Sequence, residues 1–369
     1  MKNVLICPRK YVQGKGVLKE AGTYLAMLGK KPLILWDDVV KPLVEEMVVC
    51  GIQEAGLEMV EVLFGGECTK EEAARVAAIA AEQGADSVAG IGGGKVLDTA
   101  KAAAVQAGLP MMTAPTIASN DSPTSAATVW YDDAGNCLGW DCWPFNPDIV
   151  LVDSGVIAKA PVEMFVAGMG DALATWLEAN AAFKSRAAAL SGGTPTLAAM
   201  TLARLCYDTL LEWGVEAKAA VEAGCVTPAV EKVVEANVLL SGLGFESGGL
   251  ALAHMIANAL PSFEECRSFL HGQKVGFGVI TQLCIEEDLR REEIDEVVDF
   301  EIAIGLPVTC ADLNLPDITD EQLQTLGEIA AGEGSLAHNH NFEVTPDSVI
   351  DAMIAADRLG QRRKALVGL

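Results

Sequence analysis

Asp171 lies in Gly168-Met-Gly-Asp171-Ala-Leu-Ala, a stretch that is otherwise apolar and has helical spacing. Burying a carboxylate on such a helix is costly unless something pairs with it, and a divalent cation would supply that pairing. Histidine is scarce, with 4 in 369 residues. His254, in Gly-Gly-Leu-Ala-Leu-Ala-His254, and His271, in Ser-Phe-Leu-His271-Gly-Gln-Lys, open helical segments separated by a loop. One carboxylate and two imidazoles leave coordination positions open for water or substrate, a set compatible with catalytic Zn(II) or Fe(II). Each histidine alone also reads as a satisfied core residue, and the spacing is not a compact motif such as HExxH. His338 and His340, in Leu336-Ala-His-Asn-His-Asn341, offer a rival HxH pair, although a loop of Asn and His is commonly just a polar connection.

A second group of residues could hold an anion. In Ala85-Asp-Ser-Val-Ala-Gly-Ile-Gly-Gly-Gly-Lys-Val-Leu-Asp-Thr-Ala-Lys101 a short apolar run is followed by Gly92, Gly93 and Gly94 and then by helical spacing. Glycines at a helix start leave backbone N–H groups open to a pyrophosphate, although the pattern is neither GxGxxG nor GxxxxGK[ST] and a plain helix cap would look the same. The run Leu33-Ile-Leu-Trp36 ends in Asp37 and Asp38. A carboxylate there can accept bonds from ribose hydroxyls and repel a 2'-phosphate, which favours NAD over NADP; an acidic loop on an acidic protein is the other reading. The irregular stretch Pro115-Thr-Ile-Ala-Ser-Asn-Asp-Ser-Pro-Thr-Ser125, with Asp121 as its single carboxylate, follows another apolar run and suits either a site or a turn.

These residues need elements to hold them. Apolar runs at Asn3–Ile6, Leu33–Trp36, Glu58–Leu63, Ser87–Ile91, Met111–Ala114 and Ile149–Val152 predict strands. Helical spacing at Val17–Leu28, Lys41–Ala55, Lys70–Gln83 and Val96–Ala107 alternates with them, which predicts an α/β domain with a parallel sheet covered on both faces. Such sheets bind ligands beyond their carboxyl ends, where the glycine turn falls. Val129–Trp140 predicts a hairpin with its turn at Asp133-Ala-Gly-Asn136. Beyond Ala158-Lys-Ala-Pro161 the pattern is almost wholly helical, at Val162–Ala182, Thr196–Trp213, Thr227–Gly242, Gly249–Leu260, Gly272–Ile285 and Pro346–Leu359. Two domains are expected, residues 1–160 and 161–369, with Glu286–Asp299 as a solvated helix face.

Composition narrows the class. With 26 basic and 51 acidic residues the formal charge is −25, which argues against nucleic acid and anionic membranes as partners. No uninterrupted apolar run approaches the ~20 residues that cross a bilayer, and the N-terminus lacks a signal-peptide core, so a cytoplasmic protein is expected. The 10 cysteines lack a CxxC pair and read as reduced, small core residues.

The segments Tyr11-Val-Gln-Gly, Gly90-Ile-Gly-Gly-Gly-Lys-Val-Leu-Asp-Thr-Ala-Lys101, Pro115-Thr-Ile-Ala-Ser119, Asn146-Pro-Asp148, Val166-Ala-Gly-Met-Gly-Asp-Ala-Leu-Ala-Thr-Trp176, Leu240-Ser-Gly-Leu-Gly-Phe-Glu-Ser-Gly-Gly-Leu250 and Leu270-His-Gly-Gln-Lys-Val275 occur in one order. Together they resemble the glycerol dehydrogenases of the metal-containing (iron-type) alcohol dehydrogenase superfamily, over about residues 2 to 360. The resemblance implies a Rossmann-like N-terminal domain, an all-helical C-terminal metal-binding domain, a site in the interdomain cleft, and a homo-oligomer, with an octamer as one size to test. It implies Asp171, His254 and His271 as ligands of one divalent metal, Zn first and Fe or Mn also suited. It further implies Gly93, Gly94, Lys95 and Asp98 at the NAD pyrophosphate, Asp37 at the adenosine ribose, Thr116, Ser119, Ser125 and Tyr131 along the rest of NAD, and Asp121 beside the substrate. The implied reaction is NAD-dependent oxidation of a small polyol, glycerol to dihydroxyacetone, by metal-assisted alkoxide formation and hydride transfer.

Two departures bear on the substrate. Asn120-Asp-Ser-Pro-Thr124 stands where these enzymes usually carry Thr-Asp-Ala-Pro-Cys, and Ala257 stands at the second histidine of their His-x-x-His-Asn pattern. Both are expected on the substrate side, which keeps another small diol or 2-hydroxy compound open. Glycerol-1-phosphate dehydrogenase and dehydroquinate-synthase-like activities need basic residues that the sequence offers only as Arg267 and Lys274, and a non-catalytic nucleotide-binding protein would have no use for the Asp and His set.

Overall fold

In the computed structural model, residues 2–133 and 135–368 are described. The chain divides into two compact units. One comprises Ile6–Val162 and Ala220–Gly242, the other Met1–Leu5, Glu163–Ala219 and Leu243–Leu369. A single boundary near residue 160 does not separate out Ala220–Gly242, which groups with the first unit, or Met1–Leu5, which groups with the second.

The first unit is built on β1 (Lys10–Gly14), β2 (Pro32–Trp36), β3 (Val60–Leu63), β4 (Ser87–Gly92), β5 (Met111–Pro115) and β8 (Ile149–Asp153). They form one parallel sheet in the order β1-β8-β5-β4-β2-β3. The interior strands β2, β4, β5 and β8 are buried along their whole length because both sheet faces are covered. Ile34 and Trp36 pack on one face with Leu25, from α1 (Ala21–Leu25), and with Val44 and Val48, from α2 (Lys41–Glu54). Leu33 and Leu35 pack on the other with Val76, from α3 (Lys70–Gln83), and with Val96 and Ala103, from α4 (Gly94–Ala107). The hairpin of β6 (Ala127–Tyr131) and β7 (Cys137–Cys142) is a separate antiparallel pair. Of its predicted turn, Ala134 lies outside the described residues, while Gly135 N–H donates to Asp132 C=O at 2.9 Å.

The expected strand at Asn3–Ile6 is not one. Asn3 makes only an isolated bridge to Thr194, and the first strand is Lys10–Gly14. That strand pairs only with β8, and as a half-buried sheet edge it does not need the apolar run that marks an interior strand.

α5 (Ser154–Ile157) is a single turn, and α6 (Val162–Ser185) leads into the second unit. This unit also contains most of α7 (Leu197–Glu222) and of α9 (Ser241–Gly248), together with α10 (Leu252–Ala259), α11 (His271–Ile285), α12 (Arg291–Ile304), α13 (Asp320–Ala330) and α14 (Pro346–Leu366). A core of this unit joins Ile256, Phe277, Ile280, Val298, Leu326 and Met353. Within the charged run predicted at Glu286–Asp299 the helix starts at Arg291 and has a buried side, since Val297 and Val298 are both buried. Among the described residues the ten cysteines form no disulfide, but only Cys68, Cys206, Cys266 and Cys310 are buried and five are exposed. Among the described residues no single helix is long and apolar enough to cross a membrane.

Between α8 (Pro228–Glu235) and α9 the helix widens to a π-turn at Ala236–Leu240. The predicted continuous helix Thr227–Gly242 is therefore interrupted at this point.

Candidate active site

The three predicted metal-binding side chains come together within the helical unit. Asp171 Oδ1 lies 3.4 Å from His254 Nε2 and 3.4 Å from His271 Nε2, and one ligand atom from each residue lies within 4.8 Å of the others. Asp171 and His254 are buried, whereas the His271 side chain is 43% exposed. Donors at about 2.1 Å from a tetrahedral ion stand about 3.4 Å apart, so this spacing fits a first-row divalent metal. Asp171 Oδ1 is buried without a hydrogen-bond partner, which suits an atom that could bind a cation. The residues present therefore fit the metal.

Close helix contact sets that spacing. A Cβ added at Gly272 would stand 1.7 Å from Ala167 C=O, and one at Gly170 would stand 2.3 Å from Gly272 C=O. α6 and α11 thus touch backbone to backbone beside Asp171 and His271. Gly278 approaches Ala253, the neighbour of His254, in the same way, since its added Cβ would stand 2.2 Å from Ala253 C=O.

Sequence reasoning missed Glu178, which is fully buried. Its Oε1 accepts from the backbone N–H groups of Ala251 and His254, each at 2.9 Å, and its Oε2 lies 2.5 Å from His254 Nδ1. Engaging Nδ1 turns Nε2 toward Asp171, as carboxylates beside metal-binding histidines do. Burial lowers the His254 pKa, but the Glu178 charge, the nearby Asp171 carboxylate and the bond that His254 makes to Glu178 outweigh it and hold the imidazole well above its ordinary value. Burial alone would raise the Asp171 carboxyl, yet the His271 charge and the closeness of both imidazoles hold it well below the usual carboxylate range. A signal for Glu178 was available: it lies seven residues after Asp171, two turns along the same helix face.

The predicted cofactor residues gather in the sheet unit at the carboxyl ends of β2, β4 and β5. Asp37 follows β2, and its N–H donates to Ile91 C=O at 3.2 Å. An added Cβ at Gly92 would stand 2.8 Å from Asp37 Cβ. Gly93 is the N-cap of α4 and provides no side-chain cap, in contrast to Thr69 at α3. The start of α4 is therefore open to an anion. Thr116 N–H donates to Gly92 C=O at 3.1 Å, while the buried Thr116 hydroxyl has no partner. Lys95 Nζ bonds Glu67 at 2.8 Å and sits 4.7 Å over the Tyr131 ring. Asn120, expected on the substrate side, packs against the glycine turn: a Cβ on Gly94 would stand 2.9 Å from its Nδ2. Ala257 is buried in α10.

Asp98 faces inward. Its carboxylate pairs with Lys101 at 2.8 Å and accepts from the Ser122 hydroxyl at 2.5 Å and the Val129 N–H at 2.9 Å. Lys101, which sequence reasoning also missed, is fully buried. Its ammonium donates to the carbonyls of Ser122 at 2.9 Å, Ser125 at 3.2 Å and Ala127. The Thr113 hydroxyl holds Pro123 C=O at 2.7 Å and the Asn146 amide holds Thr124 C=O at 3.0 Å. The irregular segment bearing Ser119, Asp121 and Ser125 is thus fixed by buried side chains.

The HxH pair does not form a rival site. His340 is buried, with Nδ1 2.9 Å from Ala337 C=O and Nε2 3.3 Å from Glu286. His338 is exposed, 3.2 Å from Gly332 C=O. Among the described residues these two belong to no three-ligand cluster.

The chain is similar to known proteins along its length. Residues 8–154 match the family model described as iron-containing alcohol dehydrogenase. The glycerol dehydrogenase of Citrobacter freundii is 45% identical, with 98% of this chain and 99% of the relative covered. The glycolaldehyde reductase of Halobacterium salinarum is 43% identical, with 98% and 99% covered. The glycerol dehydrogenase structure from Schizosaccharomyces pombe superposes with a TM-score of 0.94 at 33% identity, over 100% of this chain and 93% of that one. Full-length identity at this level, on a parallel-sheet unit and a helical unit that gathers Asp171, His254 and His271, establishes that the chain belongs to the iron-containing alcohol dehydrogenase family.

Proposed function

We propose that the protein is an NAD-dependent, metal-dependent polyol dehydrogenase that oxidises glycerol to dihydroxyacetone. The observation that carries this reading is the buried, unpartnered Asp171 Oδ1 facing the Nε2 atoms of His254 and His271. When bound, NAD accepts a hydride from the carbinol carbon, and a divalent cation, Zn(II) first and Fe(II) or Mn(II) also suited to the donor set, acts as a Lewis acid on the hydroxyl.

The chain's own residues do the rest. Glu178 keeps Nε2 of His254 directed at the ligand set. The uncapped start of α4, with Lys95, takes the pyrophosphate, Asp37 the adenosine ribose, and Thr116, Ser119, Ser125 and Tyr131 the remaining length of the cofactor. Asp98 supports that surface from within through Ser122 and Val129. Asp121 binds a second substrate hydroxyl or accepts the proton released when the first is oxidised, a role suited to a carboxylate at the reacting centre. The same reading takes the enzyme to be a homo-oligomer, which light scattering of the purified protein checks.

Asn120 and Ala257 favour a second reading in which a related 2-hydroxy compound is turned over better than glycerol. The relative named glycolaldehyde reductase makes a two-carbon hydroxyaldehyde the first alternative. The deciding experiment measures NADH formation from glycerol and 1,2-propanediol, and NADH consumption with glycolaldehyde, on protein of known metal content. NADH from glycerol that disappears on chelation is the expected result. Turnover of the other compounds without glycerol would overturn the glycerol assignment, and preference for NADP would overturn the role of Asp37.

A further inference from the structure

The π-turn at Ala236–Leu240 sits where two buried polar side chains, four residues apart, meet the loop that carries Asp121. Asn237 Nδ2 donates to Ala118 C=O at 3.1 Å, and Ser241 Oγ donates to Asp121 Oδ2 at 3.0 Å. Both residues are fully buried. Gly242 closes the contact: an added Cβ would stand 2.8 Å from Thr124 Cβ and 3.3 Å from Asp121 C=O. One extra residue in a helical turn rotates everything after it by about 100° relative to an uninterrupted α-helix. The apolar side of α8, at Val230, Val233 and Val234, and the Ser241–Gly242 edge can thereby both be buried, although a straight helix would turn them differently.

The opposite end of the same loop is anchored by Lys101, Thr113 and Asn146 through the carbonyls of residues 122 to 125 and Ala127. Asp121 stands at the junction of the two anchorages. A carboxylate on a short side chain rotates readily about χ2, and a donor at one oxygen fixes the plane in which it meets a ligand.

We propose that Ser241 is a positioning residue for Asp121: its hydroxyl sets the orientation of the carboxylate before substrate arrives, and the π-turn exists to deliver it, with Asn237 holding the loop backbone alongside. This rests on the reading that places Asp121 beside the substrate. In this role Ser241 acts through Asp121.

A double-mutant cycle tests it, on metal-loaded enzyme, by comparing wild type, Ser241→Ala, Asp121→Asn and the double variant. The measurements are kcat and KM for glycerol, NAD affinity by fluorescence, and thermal midpoint. Ser241→Ala is expected to lower kcat/KM for glycerol about tenfold with NAD affinity unchanged, and to have no further effect once Asp121 is Asn. An equal loss in both backgrounds would show a merely structural effect and overturn the proposal. A large loss for Asp121→Asn with none for Ser241→Ala would also overturn it, leaving the role of Asp121 intact. If Asp121→Asn itself costs nothing, the functional reading fails first and the proposal with it. Should Ser241→Ala not fold, Ser241→Thr and Ser241→Val give the same comparison at equal size. Retention of activity only with the hydroxyl supports the proposal, and equal activity overturns it.

Discussion

Glu178 and His254 form a buried carboxylate–imidazole pair in which Glu178 also accepts the backbone N–H of His254 itself, so one side chain holds both the ring and the main chain of a proposed metal ligand. Replacing Glu178 by Gln keeps the size and removes the charge. The expected result is about 10- to 100-fold weaker metal binding, measured by competition with a chromogenic chelator. Unchanged affinity would mean that Glu178 serves the fold alone.

Gly272→Ala should act on the same centre from a different direction. Its methyl group would have to occupy space held by Ala167 C=O, so α6 and α11 must separate. The expected cost is about 1–3 kcal/mol in urea unfolding, with reduced metal content in the folded fraction. Wild-type metal content in the variant would show that helix contact does not govern ligand spacing.

Lys101→Met removes a donor from the carbonyls of Ser122, Ser125 and Ala127 and leaves Asp98 without its ammonium. Breaking a buried pair from one side costs about 3–5 kcal/mol, which should appear as a lower urea midpoint at unchanged slope. NAD affinity should fall with it, because the loop bearing Ser119 and Ser125 loses its anchor. A variant as stable as wild type would contradict the anchoring role.

Glu301 carries the pH prediction. It is fully buried on α12, with neither carboxylate oxygen hydrogen-bonded, and burial alone raises its pKa well above the ordinary glutamate value. The native protein therefore keeps a proton that the unfolded chain has lost, so stability falls as pH rises from the ordinary glutamate range toward the raised folded-state pKa. For one proton the slope is at most about 1.4 kcal/mol per pH unit. Glu301→Gln removes this contribution, so its stability should gain on wild type steadily between about pH 5 and pH 7. Parallel stability curves for the two proteins would refute the assignment.

Much of this was legible in the sequence, for identifiable reasons. A charge in an apolar helix marked Asp171, and glycines between strand and helix marked the start of α4. β2, β4, β5 and β8 stood out because interior parallel strands are apolar throughout. β1 did not, because an edge strand tolerates Lys10 and Gln13, while the apolar Asn3–Ile6 run attracted attention without joining the sheet. Glu178 and Lys101 looked like ordinary helix-surface residues, since their partners lie far along the chain or in a loop of no regular pattern. Nor could helical spacing reveal the π-turn, whose reason for existing is the contact of Asn237 and Ser241 with residues more than a hundred positions earlier.

The glycine contacts between α6 and α11 also bear on how the enzyme can change. Because main chain meets main chain beside Asp171 and His271, the bite of the ligand set is insulated from the identity of surrounding core side chains. Leucines and valines of the helical unit can drift by a methylene and repack while the triad keeps its dimensions. The tolerance of the core and the intolerance of Gly170 and Gly272 are thus two sides of one arrangement, in which sequence variation is absorbed everywhere except where side chains are absent.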